Sequence, residues 1–103
     1  MLSSSPLPGW SGRFFHSENM TFGHWDIAEG AAELHEHDHP QEEVWNVVEG
    51  AVVLVVDGQE RRLGPGDAAV IPSGTRHSAK PLGACRAIIV DHPVRSQLPG
   101  IGP

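Results

Sequence analysis

A single all-β domain, either a closed barrel or a two-sheet jelly roll, is the fold this chain predicts, and three observations lead there. Its 103 residues include 12 glycines and 9 prolines, breaks too frequent for long helices and well suited to short strands joined by turns. Runs rich in β-branched and aromatic residues alternate with turn signals from residue 13 onward. No stretch has a helical period, and antiparallel strands of this length and spacing close into a barrel or stack as two sheets. A chain of this size forms one core and leaves no room for a second catalytic module.

In chain order, residues 1–12, rich in Ser, Pro and Gly, read as a flexible or surface-draped N-terminal arm with Trp10 its one large apolar anchor. Order is expected to begin near Arg13. The strand candidates are then "RFFHS", "MTFGHWDIAE", "AELHEHD", "EVWNVVE", "AVVLVVD", "ERRL", "DAAVIP", "RHSAK" and "CRAIIVD". Asp57-Gly58 is a type I′ hairpin dipeptide, because glycine accepts the positive φ that matches strand twist, so the strands on either side pair antiparallel. Pro65-Gly66 supplies the residues of a type II turn. Residues 13–95 form the barrel by this reading, and 96–103 a loose C-terminal tail.

Composition excludes several classes of function. The net charge of -6, with Arg and Lys scattered, gives no footprint for a nucleic-acid backbone. No apolar run is long enough to cross a bilayer as a helix, so neither nucleic acid nor membrane is an expected partner. The N-terminal "MLSSSPLPGW" lacks the basic start and apolar core of a signal peptide, and Cys85 alone cannot form an internal disulfide. A cytoplasmic setting is therefore expected.

The chemistry concentrates in "LHEHDHPQEEVWNVVEG", residues 34–50. His37 and His39 lie two apart and share a face on a strand, where two imidazoles can converge on one ion. Pro40 ends that strand, and re-entry into the next at Glu43 places a carboxylate from the neighbouring strand beside them. His77 follows the turn "PSGTRH" and is positioned to join the set. Taken by spacing alone, a metal site and a solvated histidine-rich turn both remain open.

Two longer motifs bear on that choice. The first runs Gly30, six residues, His37-Asp38-His39, three residues, Glu43, six residues, Gly50; the second runs Gly66, five residues, Pro72-Ser73-Gly74, two residues, His77, three residues, Pro81. Over residues 30–81 the chain thereby resembles the cupin family. It departs from that pattern by one extra residue after Gly30 and by Pro81 in place of an asparagine, neither at a ligand position. The resemblance implies a double-stranded β-helix, the jelly-roll barrel of that family, with His37, His39, Glu43 and His77 as ligands to a divalent transition metal. Three neutral imidazoles and one carboxylate suit Fe, Mn, Zn, Ni, Co or Cu. His35 has the parity of the other histidines but lies outside the motif and reads as a rim residue.

Strand parity proposes the lining of a pocket. Trp45 and Val47 share the face of Glu43, and Ala79 shares that of His77. From the strand after Met20, either His24 or Trp25 approaches the site, and Arg86 on the last strand is a candidate carboxylate clamp. No general acid or base stands out; His24, Glu33 and His35 are candidates by proximity alone. Cys85 reads as a small packing residue.

These features describe a metal-dependent enzyme acting on a small organic molecule by dioxygenase, isomerase or lyase chemistry. The alternative is a non-catalytic cupin that binds a sugar or effector. The outward valines of "VWNVVEGAVVLVV" and open sheet edges predict a homodimer, with residues 13–17 crossing to the partner.

Overall fold

A computed structural model describes residues 1–96. It contains ten strands: β1 (Leu2–Ser4), β2 (Trp10–His16), β3 (Thr21–Ile27), β4 (Leu34–His37), β5 (Glu42–Glu49), β6 (Val52–Val56), β7 (Gln59–Leu63), β8 (Ala68–Ile71), β9 (His77–Pro81) and β10 (Cys85–His92). They form a six-stranded sheet of order β1-β2-β3-β10-β5-β8 and a four-stranded sheet of order β4-β9-β6-β7, antiparallel throughout. The architecture is the all-β jelly roll the sequence predicts, and among the described residues no helix is long and apolar enough to cross a membrane.

Alternation along the strands builds the core. In β10, Cys85, Ala87, Ile89 and Asp91 turn inward while Arg86 and Ile88 turn out. In β5, Glu43, Trp45 and Val47 are buried and Asn46 and Val48 are exposed. Opposite them, Val52 and Leu54 of β6, Leu63 of β7 and Ala79 of β9 cover the same interior. Each sheet thus supplies one face of a shared apolar layer, the arrangement that buries most surface for strands of period two.

Two turns follow from residue chemistry. The β6–β7 hairpin closes through Asp57 and Gly58, both at positive φ (49° and 79°), as the type I′ expectation requires. Gly50, at φ 76°, ends β5 where a side chain would collide with the Ala84 carbonyl oxygen and crowd the Cys85 Cα at 2.9 Å. A Cβ has neither the dihedral nor the space there.

Two expectations are corrected. Residues 1–12 do not wait until Arg13 for order: β1 pairs with β2, whose first residue, Trp10, is 4% exposed and donates its indole N–H to the Ala32 carbonyl at 2.7 Å. Burying an indole and satisfying its N–H outweigh what the Ser/Pro/Gly composition around it suggests. Residues 13–16 lie in β2 and pair with β3 of the same chain. Finally, β4 and β5 belong to different sheets, so Glu43 reaches the histidines across the barrel rather than along a common ladder. Of the expected tail, residues 97–103 lie outside the described residues.

The Gly50 turn yields a direct test. Gly50→Ala is expected to lower unfolding free energy by about 3 kcal/mol, measured as a shift in urea midpoint at unchanged slope. A loss under about 0.5 kcal/mol, the range of an ordinary surface change, would contradict the packing described.

Candidate metal centre

The site lies between the sheets at one end of the barrel. His37 and His77 are cross-strand neighbours on β4 and β9 of the small sheet, while Glu43 and Asp91 are cross-strand neighbours on β5 and β10 of the large one. His39 belongs to the loop that carries the chain from one sheet to the other. That loop is tied to the turn ahead of β9: the Gly74 N–H donates to the His39 carbonyl at 2.9 Å, and the Ser73 hydroxyl to the Pro40 carbonyl at 2.5 Å. The "PSG" turn of the second motif therefore fixes the histidine loop of the first.

Backbone carbonyls set the chemistry of the three rings. Nδ1 of His37 donates to the His35 carbonyl at 3.0 Å, that of His39 to Gln41 at 3.1 Å, and that of His77 to Thr75 at 2.8 Å. A carbonyl only accepts, so each Nδ1 carries the hydrogen and each neutral ring presents an Nε2 lone pair. The rings converge, with centroids 4.2 Å apart for His37 and His77, 4.9 Å for His39 and His77, and 5.5 Å for His37 and His39. Their ligand atoms all fall within 4.8 Å of one another. Glu43 Oε2 lies 3.2 Å from His77 Nε2 and 3.4 Å from His39 Nε2.

Both Nε2 atoms of His39 and His77 are buried and lack a hydrogen-bond partner. Orphaned acceptors in a dry interior are costly unless something binds them. Three inward lone pairs beside a carboxylate fit a divalent transition metal, with His37, His39, His77 and Glu43 to hold it. Burial acts to raise the pKa of Glu43, but the His39 and His77 rings, when protonated, outweigh it through hydrogen bonds and charge and hold the carboxyl at about 2. At His37 burial prevails and lowers the pKa. At His77 burial pulls the same way, yet Glu43 and the Thr75 carbonyl together raise it.

Beside the donors opens a cavity of about 390 Å³, whose lining is mostly apolar. Trp10, Trp25 and Trp45 form its walls, and Trp10 meets each of the other two indoles edge to face at 6.3 Å. Gly12 and Gly23 make room for the Trp25 ring: a Cβ at Gly12 would sit 2.8 Å from the indole and one at Gly23 2.6 Å from its Nε1.

Of the expected pocket residues, Trp25 and Trp45 line this cavity. Val47 and Ala79 are buried in the core behind it and do not. His24 is half-buried on the outer side of β3, alternating with buried Gly23 and Trp25. Arg86 is not a clamp in the pocket: its neighbours Cys85 and Ala87 take the inward positions, and it donates to Asp26 on the outer surface at 2.8 Å, with Glu49 3.9 Å away. His35 and Glu36 lie at the cavity rim, exposed.

Two functional candidates escape a reading of the sequence. Asp91 is 3% exposed, faces the cavity beside Glu43, and leaves Oδ1 without a hydrogen bond. Burial and the charge of Glu43 push its carboxyl up to about 7 against the pull of Arg95. Arg95, past the end of β10, turns back into the cavity with Nη1 3.8 Å from both Glu43 and Asp91. The sequence does hold a signal for Asp91: an acidic residue at an inward parity position, two after Ile89. Nothing in the sequence marks Arg95.

A family model described as cupin domain matches residues 23–91. Among solved structures the chain is similar to KdgF from Halomonas sp., with a TM-score of 0.83 and 28% identity over 91% of this chain and 87% of that one. It is also similar to an RmlC-like cupin from Shewanella frigidimarina, at TM-score 0.79 and 23% identity over 93% and 97% of the two chains. A third likeness is to TT1209 from Thermus thermophilus, at TM-score 0.71 and 26% identity over 82% and 85%. No curated protein matches the chain.

A donor set of this kind predicts metal-dependent thermal stability. Zinc, cobalt or nickel at a hundred times its dissociation constant is expected to stabilise the apo chain by about 2.7 kcal/mol, and His37→Ala to abolish most of that gain. A melting temperature unmoved by any of the three ions would count against the centre.

Proposed function

The chain belongs to the cupin domain family, and on that premise we propose that it is a metal-dependent enzyme acting on a small organic molecule by proton transfer, as an isomerase or lyase. The observation that carries the reading is a carboxyl group, Asp91, buried in the same tryptophan-walled cavity that His37 and Glu43 line, with an oxygen committed to no protein partner.

His37, His39, His77 and Glu43 would hold a divalent ion, which would supply Lewis-acid polarisation of a substrate oxygen. Everything else is the work of this chain. The backbone carbonyls behind the histidines hold the rings in one tautomer. The three indoles exclude water from the reacting atoms, which strengthens each charge interaction within the cavity. Asp91 accepts a proton from the substrate and returns it to another of its atoms, so isomerisation needs no co-reactant. Glu43, one of the four donors that would hold the ion, is not free for that role.

The outer face of the large sheet supports a homodimer. Phe15, Phe22, Val90, Val44 and Val70 stand in register across five strands, with Phe15 stacked on Phe22 at 5.3 Å and Val70 53% exposed. An apolar row on a sheet face is a surface that a second copy covers. In sedimentation at micromolar concentration the wild type is expected to run as a dimer and Phe22→Glu as a monomer; a wild-type monomer would sink the proposal.

The catalytic reading is tested by deuterium exchange. Metal-loaded protein in D2O, incubated with a panel of hydroxy and keto acids and keto sugars, is expected to place deuterium beside the carbonyl of a substrate. Asp91→Asn is expected to slow this by about a hundred-fold or more with metal content unchanged. Metal-dependent oxygen uptake without exchange contradicts proton transfer. Tight ligand binding that survives replacement of His37 and His77 by alanine, with no turnover, favours the non-catalytic alternative.

A further inference from the structure

We infer that the molecule accepted by this cavity is a small hydroxy carboxylate, its carboxylate taken by Arg95 and a hydroxyl by Asp91. The inference rests on the proposed metal-dependent reading of the same site and names its substrate class.

Arg95 is the cavity's cationic side chain among the described residues, and its position is built. Its backbone N–H donates to Thr21 Oγ1 at 2.8 Å, and the Gln41 side chain donates to the carbonyl of the preceding Val94 at 3.4 Å. The side chain is 16% exposed. Its approaches to Glu43 and Asp91, both at 3.8 Å, are too long for hydrogen bonds, so the guanidinium is held by charge while its N–H donors stay free. A planar fork of free donors inside a largely apolar cavity is matched by a carboxylate, which accepts two parallel N–H bonds.

The remaining unsatisfied groups define the rest of the ligand. Asp91 Oδ1 is buried and needs a donor, which a hydroxyl supplies. The Trp45 indole N–H is also buried without a partner and needs an acceptor. Carboxylate and hydroxyl together satisfy both and leave the carbon skeleton against the tryptophan walls. A cavity of about 390 Å³ lies at the small end of the range for ligand sites.

Calorimetry on metal-loaded protein separates the possibilities. The probes are lactate, mandelate and gluconate, each beside its primary amide, with phenylacetate as the counterpart of mandelate that lacks the hydroxyl. At least one acid is expected to bind about ten-fold or more tightly than its amide, and mandelate more tightly than phenylacetate. Arg95→Gln is expected to erase the acid-over-amide preference while leaving bound metal unchanged, and Arg95→Lys to restore part of it. A preference that persists in Arg95→Gln, or equal binding of acid and amide, or no binding of any probe by protein that holds its metal, overturns the inference. Protein that takes up no metal fails at the earlier step and removes the functional reading itself.

Discussion

The interior of this protein is organised around one constraint: three imidazole rings forced into the same tautomer by their own backbone. Each Nδ1 is tied to a carbonyl within two residues of its own, those of His35, Gln41 and Thr75, so the local path of the chain decides which nitrogen faces the hollow. Leaving the Nε2 atoms of His39 and His77 buried without partners has a cost that hydrophobic packing elsewhere must offset. A site held this way is positioned before any ion or ligand enters, and less reorganisation is then required on binding.

Pre-positioning depends on the two sheets meeting at fixed distance and register. His37 and His77 come from the small sheet, Glu43 and Asp91 from the large one, and a one-residue slip in either would turn its donors to solvent. The hydrogen bonds from Gly74 and Ser73 to the His39–Pro40 loop lock the remaining freedom. At the same end, Gly12 and Gly23 give up side chains so that Trp25 can lie close against its own sheet, and the space is kept as cavity rather than filled as core.

Much of this is legible in the sequence, for reasons particular to each residue. Local chemistry announces itself locally: Asp57-Gly58 specifies its hairpin whatever surrounds it, and parity along β5 puts Trp45 on the side of Glu43. The resemblance to cupins that the two motifs carry implies His37, His39, Glu43 and His77, and the structure draws those four side chains together. What escapes depends on contacts between distant segments. Asp91 meets Glu43 through the β5–β10 register, Arg95 is aimed by Thr21 far along the chain, and Trp10 is claimed by a carbonyl on Ala32. Arg86 has the charge of a clamp, but the parity that exposes it is the same parity that buries Asp91.

The central claim is that three rings and one carboxyl share a single ion, and X-ray absorption spectroscopy of the cobalt-loaded protein addresses it most directly. The account predicts a shell of nitrogen and oxygen donors with the outer scattering of three imidazole rings, falling to two in His37→Ala. A spectrum with one ring or none, or one that His37→Ala leaves unaltered, would contradict it.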